Sequence, residues 1–200
     1  PEERVIPALL RAMRRRMFWA LAGVFFFTST GMFMVIIQIV AYLVAIGVPP
    51  LQAAGIFGSI GALSIVGMIG SGWLAGRVGF RAVGVGSYVI SLIGIALFDV
   101  MSHSPHPATL AGFVIAFGIA QGTRGPLIAT LCSRLFGGPA AGSVFGTITA
   151  AGGFGGALGS LLAGVLFDYS GGYELSFAVA AASLMLASVP FLVLPEFRTR

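Results

Sequence analysis

The sequence contains no lysine and no asparagine, has a single cysteine, and carries charged side chains at only 8% of its 200 positions. Each shortage excludes something. Without Lys there is no Walker phosphate loop and no Schiff-base chemistry. Without Asn there is no N-glycosylation acceptor. Cys132 alone forms neither an intrachain disulfide nor a multi-cysteine metal site. Soluble domains carry about 25% charged residues, so this chain has too few to cover a water-facing surface, and a soluble enzyme is excluded. Disorder is excluded by a hydrophobic content of 58% and a mean hydropathy of +1.02.

What is present is a set of long apolar runs. Residues 17–76 contain no Asp, Glu, Lys or Arg. That stretch is too long for one membrane crossing of about 20 residues, and Gly47-Val48-Pro49-Pro50 supplies the turn that divides it. Further breaks are expected at the Pro-rich polar loop 102–107, at Gly137-Gly138-Pro139, at the acidic loop 168–174 and at Pro195. The predicted spans are 18–46, 52–75, 83–100, 108–131, 141–167 and 175–194. The fold class is thus an all-α membrane protein with six transmembrane helices. Residues 1–16 form a cytoplasmic amphipathic linker, because Val5, Ile6, Leu9, Leu10 and Met13 alternate with Arg at helical spacing. Residues 17–195 are the bundle and 196–200 a cytoplasmic tail.

The distribution of arginine supports that topology. Arg4, Arg11, Arg14, Arg15 and Arg16 precede the first span. Arg77 and Arg81 follow the second, Arg134 follows the fourth, and Arg198 and Arg200 follow the sixth. All lie on one side of the membrane, while Asp99, Asp168, Glu174, His103 and His106 lie on the other. The positive-inside rule then puts both ends in the cytoplasm of a cell (inner) membrane. The net charge of +5 is a topology signal and calls for no nucleic-acid partner. Position 1 is Pro, not Met, and reads as a cut or domain boundary.

Thirty glycines suit helices that pack closely in lipid. The fifth span carries the G-x-x-x-G pairs Gly142/Gly146, Gly152/Gly156 and Gly155/Gly159, and the fourth carries Gly118/Gly122. These surfaces read as tight packing, or as faces along which helices slide.

Of the 11 basic residues, Arg124 alone falls inside a span. It precedes Arg134 by ten residues, about 15 Å along a helix, and so sits near the middle of a hydrocarbon core about 30 Å thick. A buried Arg stays protonated and is costly unless partnered. No Asp or Glu lies at that depth. Its partner is therefore an anionic substrate, held by bidentate hydrogen bonds, an acid from another part of the protein, or carbonyls and water. Carbonyls near positions 122 and 123, loosened by Pro126, are one source. Gln121 lies one turn before Arg124 on the same face. His103 and His106, on a loop without neighbouring carboxylates, make a poor metal site.

Gly72-Trp73-Leu74-Ala75-Gly76-Arg77-Val78-Gly79-Phe80-Arg81 resembles the loop signature G-x-L-x-D-R-x-G-R-R of the major facilitator superfamily. Gly72, Leu74, Arg77, Gly79 and Arg81 match; Gly76 replaces the acid and Phe80 the first closing Arg. Phe18-Trp19 after an Arg cluster resembles that family's entry into its seventh helix, and 152–168 resembles its eleventh. The resemblance spans about 14–195, and looks most like the monocarboxylate or oxalate/formate branch. It implies half of a twelve-helix fold, with an N-terminal six-helix half as partner and substrate near the midplane. It also implies a gating loop at Gly72, Arg77, Gly79 and Arg81. In the family the first, second, fourth and fifth helices of each half line the cavity. That adds Gln38 and Tyr42, one turn apart, to Arg124 and Gln121 as substrate contacts, with Ser59, Ser64, Thr147 and Thr149 as weaker ones.

The implied activity is secondary transport of a small organic anion such as a carboxylate by alternating access, without a cofactor. The alternatives are a proton-driven exporter in which Arg124 is structural, and a self-dimerising six-helix half. An intramembrane protease is excluded, since no Ser–His dyad, aspartate pair or H-E-x-x-H lies at membrane depth. An aquaporin-like channel is excluded by the missing Asn.

Overall fold

Prolines and glycines punctuate the chain where helices begin and end. The structure, a computed structural model, describes residues 5–103, 106–138 and 141–198. Arg4, Ser104, Pro105, Pro139 and Arg200, named above, lie outside the described residues. Among the described residues seven α-helices follow one another: α1 (Val5–Met13), α2 (Arg16–Ala45), α3 (Pro50–Val78), α4 (Phe80–His103), α5 (Pro107–Leu135), α6 (Ala141–Ser170) and α7 (Glu174–Val193), with a 3-10 turn at Pro195–Arg198. Pro50 and Pro107 open their helices at first-turn positions, where the missing N–H costs nothing. His106 caps α5, its Nδ1 accepting from the Ala108 N–H at 3.1 Å. Gly79, which separates α3 from α4, has φ +88°, a conformation that L side chains resist.

Two expected loops are shorter than the sequence suggested. α4 continues through Ser102 and His103, and α6 continues through Asp168 to Ser170. Polar residues in a last turn do not stop a helix; α6 ends only at Gly171, with φ +69°.

Five helices, α2, α3, α4, α6 and α7, are long and apolar enough to cross a membrane. α5 has 29 residues, about 43 Å of helix, yet falls short on apolarity. The cause is local: Gln121, Thr123 and Arg124 interrupt its middle. Of the six crossings expected, five are thus long and apolar enough, and the sixth is the one expected to carry Arg124.

α2 lies along α6 and α7, while α5 lies along α3 and α4, and α4 meets α7. Glycine makes the two closest pairings possible. A Cβ on Gly155 or Gly159 would collide with backbone of Phe26 or Thr30 on α2, and Gly152 and Gly156 face Phe25 and Phe33. Gly118 and Gly122 meet α3 in the same way, and Gly67 of α3 meets the backbone of Ile119. Gly142 and Gly146 do not fit the expectation, because a Cβ on either would meet nothing within 4 Å. Both are exposed, on a face turned outward from Val144 and Ile148, which are buried in the same turns, while Phe145 beside them still meets Phe25 of α2. At the end of the bundle away from Arg16, Tyr42, Phe98, Phe113 and Phe177 form an aromatic cluster; the Phe98 and Phe113 rings stack at 4.2 Å.

Candidate functional site

Arg124 is 4% exposed and reaches from α5 to α4 and α2. Its Nε donates to Ser87 Oγ at 3.3 Å, and its Nη2 to the Ser87 carbonyl at 2.9 Å and to Ser91 Oγ. Nη1 donates to Met32 Sδ at 3.2 Å. The guanidinium carbon stands 4.4 Å from the centre of the Tyr88 ring, and the Tyr88 hydroxyl shares a 2.6 Å hydrogen bond with Thr28 Oγ1. The placement follows from helical spacing. Ser87 and Ser91 are one turn apart, so one face of α4 offers both hydroxyls to the same cation. Tyr88 adds the negative face of its ring.

Every one of these partners is neutral. The guanidinium is hydrogen-bonded, but no carboxylate among the described residues compensates its charge. Charge-assisted hydrogen bonds contribute about 1.5–3 kcal/mol each, against a desolvation cost of several kcal/mol for a buried ion. The carbonyl that serves Arg124 belongs to Ser87 on α4, not to positions 122 or 123 of its own helix, because the long side chain extends away from the α5 backbone. Ser87, Tyr88, Ser91, Thr28 and Met32 escaped the sequence reading. The Ser87/Ser91 pair, polar at i, i+4 in an apolar span, was the available signal.

Gln121 is half-buried one turn earlier, and its Oε1 is buried with no hydrogen-bond partner among the described residues. Gln38 and Tyr42 are placed elsewhere. Gln38 Nε2 donates to the Ala163 carbonyl at 2.7 Å and to Ser176 Oγ at 3.3 Å, tying α2 to α6 and α7. Tyr42 donates to the Phe98 carbonyl at 2.8 Å. The structure thus brings these two into interhelical bonds and does not join them to Arg124. Ser59, Ser64, Thr147 and Thr149 each donate to a carbonyl of their own helix.

The α3–α4 turn is held from both sides. The Arg77 guanidinium carbon lies 3.9 Å from the Trp73 ring centre. Arg81 donates to the Leu192 carbonyl at 3.1 Å, one of the carbonyls at the α7 C-terminus, where a cation also meets the helix dipole favourably. Phe80, which stands where the signature has Arg, is buried beneath the Arg134 guanidinium at 4.5 Å. A cavity of about 280 Å³ opens beside this turn, lined by Gly72, Gly76, Phe80, Pro126, Leu127 and Arg134 among others. It begins two residues beyond Arg124.

Residues 19–200 match the Major Facilitator Superfamily. The chain belongs to the major facilitator superfamily. Within it the sequence is 33% identical over 172 residues to monocarboxylate transporter 13 of Rattus norvegicus, covering 84% of this chain and 39% of that protein. It is 30% identical over 165 residues to monocarboxylate transporter 3 of Rattus norvegicus, covering 82% and 34%. Among solved structures it resembles a POT family transporter in complex with 5-aminolevulinic acid, with TM-score 0.74, 20% identity, and coverage of 90% of this chain and 38% of that one. A mutant peptide transporter POT in complex with sulfate gives TM-score 0.73 at 20% identity, covering 92% and 38%. The superfamily fold is therefore present in a chain that spans about two-fifths or less of these proteins. These relatives are transporters, and the protein is an integral membrane protein.

Proposed function

We propose that this chain is the C-terminal six-helix half of a secondary transporter that moves a small organic anion, a monocarboxylate foremost, by alternating access. In this reading α5 is the sixth crossing despite its polar centre, and the Arg-bearing ends of the helices are cytoplasmic. The missing partner is an N-terminal six-helix half, which the greater length of the relatives accommodates. The observation that carries the reading is Arg124, a cation buried at membrane depth whose partners among the described residues are all neutral. An arriving carboxylate would supply the missing charge, displacing the Met32 sulfur and the Ser91 hydroxyl from Nη1 and Nη2 to form bidentate hydrogen bonds. Gln121, on the same face, would contact it from one turn away. The monocarboxylate transporters among its relatives supply the substrate class.

The path to Arg124 runs through the cavity beside Pro126 and Leu127. The turn carrying Gly72, Arg77, Gly79 and Arg81 forms its cytoplasmic gate, and Arg81 couples the turn to α7. The test is uptake by the complete protein in proteoliposomes, with short monocarboxylates, uncharged analogues and organic cations offered in parallel. Uptake confined to the carboxylates is expected; uptake confined to cations would refute the proposal. A second reading, an exporter in which Arg124 only ties α5 to α4, draws on one observation: the donors of Arg124 are already engaged by Ser87, Ser91 and Met32. That reading predicts cation transport indifferent to Arg124→Lys.

A further inference from the structure

The Arg-rich end of the bundle contains a second cavity, separate from the Arg124 site. It measures about 270 Å³ and is lined by Arg11, Ala12, Arg15, Leu135, Phe136, Gly137 and Val144. Two arginines from the α1–α2 junction thus face Leu135, Phe136 and Gly137 at the end of α5 across a space large enough for a small polar group. Their donors are available. Among the described residues Arg11 engages only its Nε, which donates to the Pro7 carbonyl at 3.2 Å. Arg15 precedes α2 and makes no side-chain capping bond there. Val144 belongs to the first turn of α6, so the N-terminal end of a 30-residue helix abuts the same space, and that end of a helix favours an anion.

The cavity also lies at the right depth for a lipid headgroup. Trp19 is 60% exposed and donates its indole N–H to the Met13 carbonyl at 2.8 Å. An exposed indole beside an arginine cluster marks the membrane–water boundary. Leu10 of α1 is exposed as well, as an interfacial helix needs if it is to meet acyl chains.

We infer that this cavity binds the phosphate group of an anionic ligand, clasped by Arg11 and Arg15. Two sources share that chemistry, the headgroup of an anionic phospholipid and free phosphate. The clasp joins α1 to the end of α5, so occupancy would hold the segment before α2 against the bundle.

The test is native mass spectrometry of the complete protein released from micelles containing phosphatidylglycerol or phosphatidylcholine, with and without inorganic phosphate. One phosphatidylglycerol should be retained in preference to phosphatidylcholine. Arg11→Gln and Arg15→Gln should each weaken its retention by about tenfold or more, the loss of a charge-assisted hydrogen bond. Arg14→Gln removes the same charge from the same segment outside the cavity. It should cost no more than the roughly fivefold share of general surface attraction. Displacement of the lipid by inorganic phosphate would assign the site to either phosphate source, and failure to displace it would assign the site to the lipid. Equal retention of the two lipids, or equal losses in all three variants, would overturn the inference.

Discussion

Gly155→Ala is expected to destabilise the bundle, and Gly146→Ala is not. The two glycines belong to the same helix and to the same kind of G-x-x-x-G pair, yet their surroundings differ. At Gly155 the added methyl would strike the backbone of Phe26, and backbone has no rotamer by which to yield. α2 and α6 would have to separate. Overpacking of this kind costs about 1–3 kcal/mol. The Gly155 carbonyl also accepts from Thr30 Oγ1 at 3.1 Å, and stretching that bond adds up to about 1 kcal/mol. A loss of about 2 kcal/mol would shift the folded-to-unfolded ratio roughly thirtyfold. At Gly146 nothing stands within 4 Å, so Ala gains helix propensity, about 0.8–1 kcal/mol in favourable cases. Titration of purified protein from dodecyl maltoside into sodium dodecyl sulfate, followed by circular dichroism, measures both. Equal stability of Gly155→Ala and wild type, or equal losses at both positions, would refute the packing argument.

Gln38→Leu removes the bonds to Ala163 and Ser176 and should cost about 0.6–1.7 kcal/mol in the same titration, with the KM for transport unchanged. Ser91→Ala strips one neutral partner from a buried cation and should cost about 1.5–3 kcal/mol, more than Ser133→Ala, whose hydroxyl bonds only its own helix. At the Arg-rich end, the hydrogen bond from Arg16 at 2.8 Å holds the Glu196 carboxyl below its ordinary range. A depressed carboxylate stabilises above its unfolded pKa and loses that contribution as pH falls through the folded one. Wild type and Glu196→Gln should therefore differ slightly at neutral pH and converge in acid, as a stability-against-pH profile would show.

The helices were legible in the sequence because lipid permits few backbone arrangements, and stretches such as 17–76 leave no other use for so many uncharged residues. Arg124 was legible for the same reason, as a charge placed ten residues inside Arg134, the arginine in the last turn of the same helix. Its partners were not. Which face of α4 meets α5 depends on packing between helices, and Ser87 looks no different from Ser59 until the helices are assembled. Gly142/Gly146 and Gly155/Gly159 are likewise alike as text; only the face of α6 on which each pair falls separates the pair that packs from the pair that does not. Gln38 and Tyr42 were candidates because the family resemblance puts their helix on the cavity, but the carbonyls of Ala163 and Phe98 that accept from them belong to other helices. Phe80 shows a departure from the loop signature absorbed by the fold, since the ring packs inside and carries Arg134 on its face.

The central claim is that Arg124 holds the substrate carboxylate, and the most direct measurement is concentration-dependent monocarboxylate uptake by Arg124→Lys and Arg124→Gln in the complete protein. Lys keeps the charge but loses the planar two-pronged donor, whereas Gln loses both. The account predicts a raised KM with residual uptake for Lys and loss of saturable uptake for Gln, with both proteins still folded. Uptake kinetics equal to wild type in either variant would contradict it.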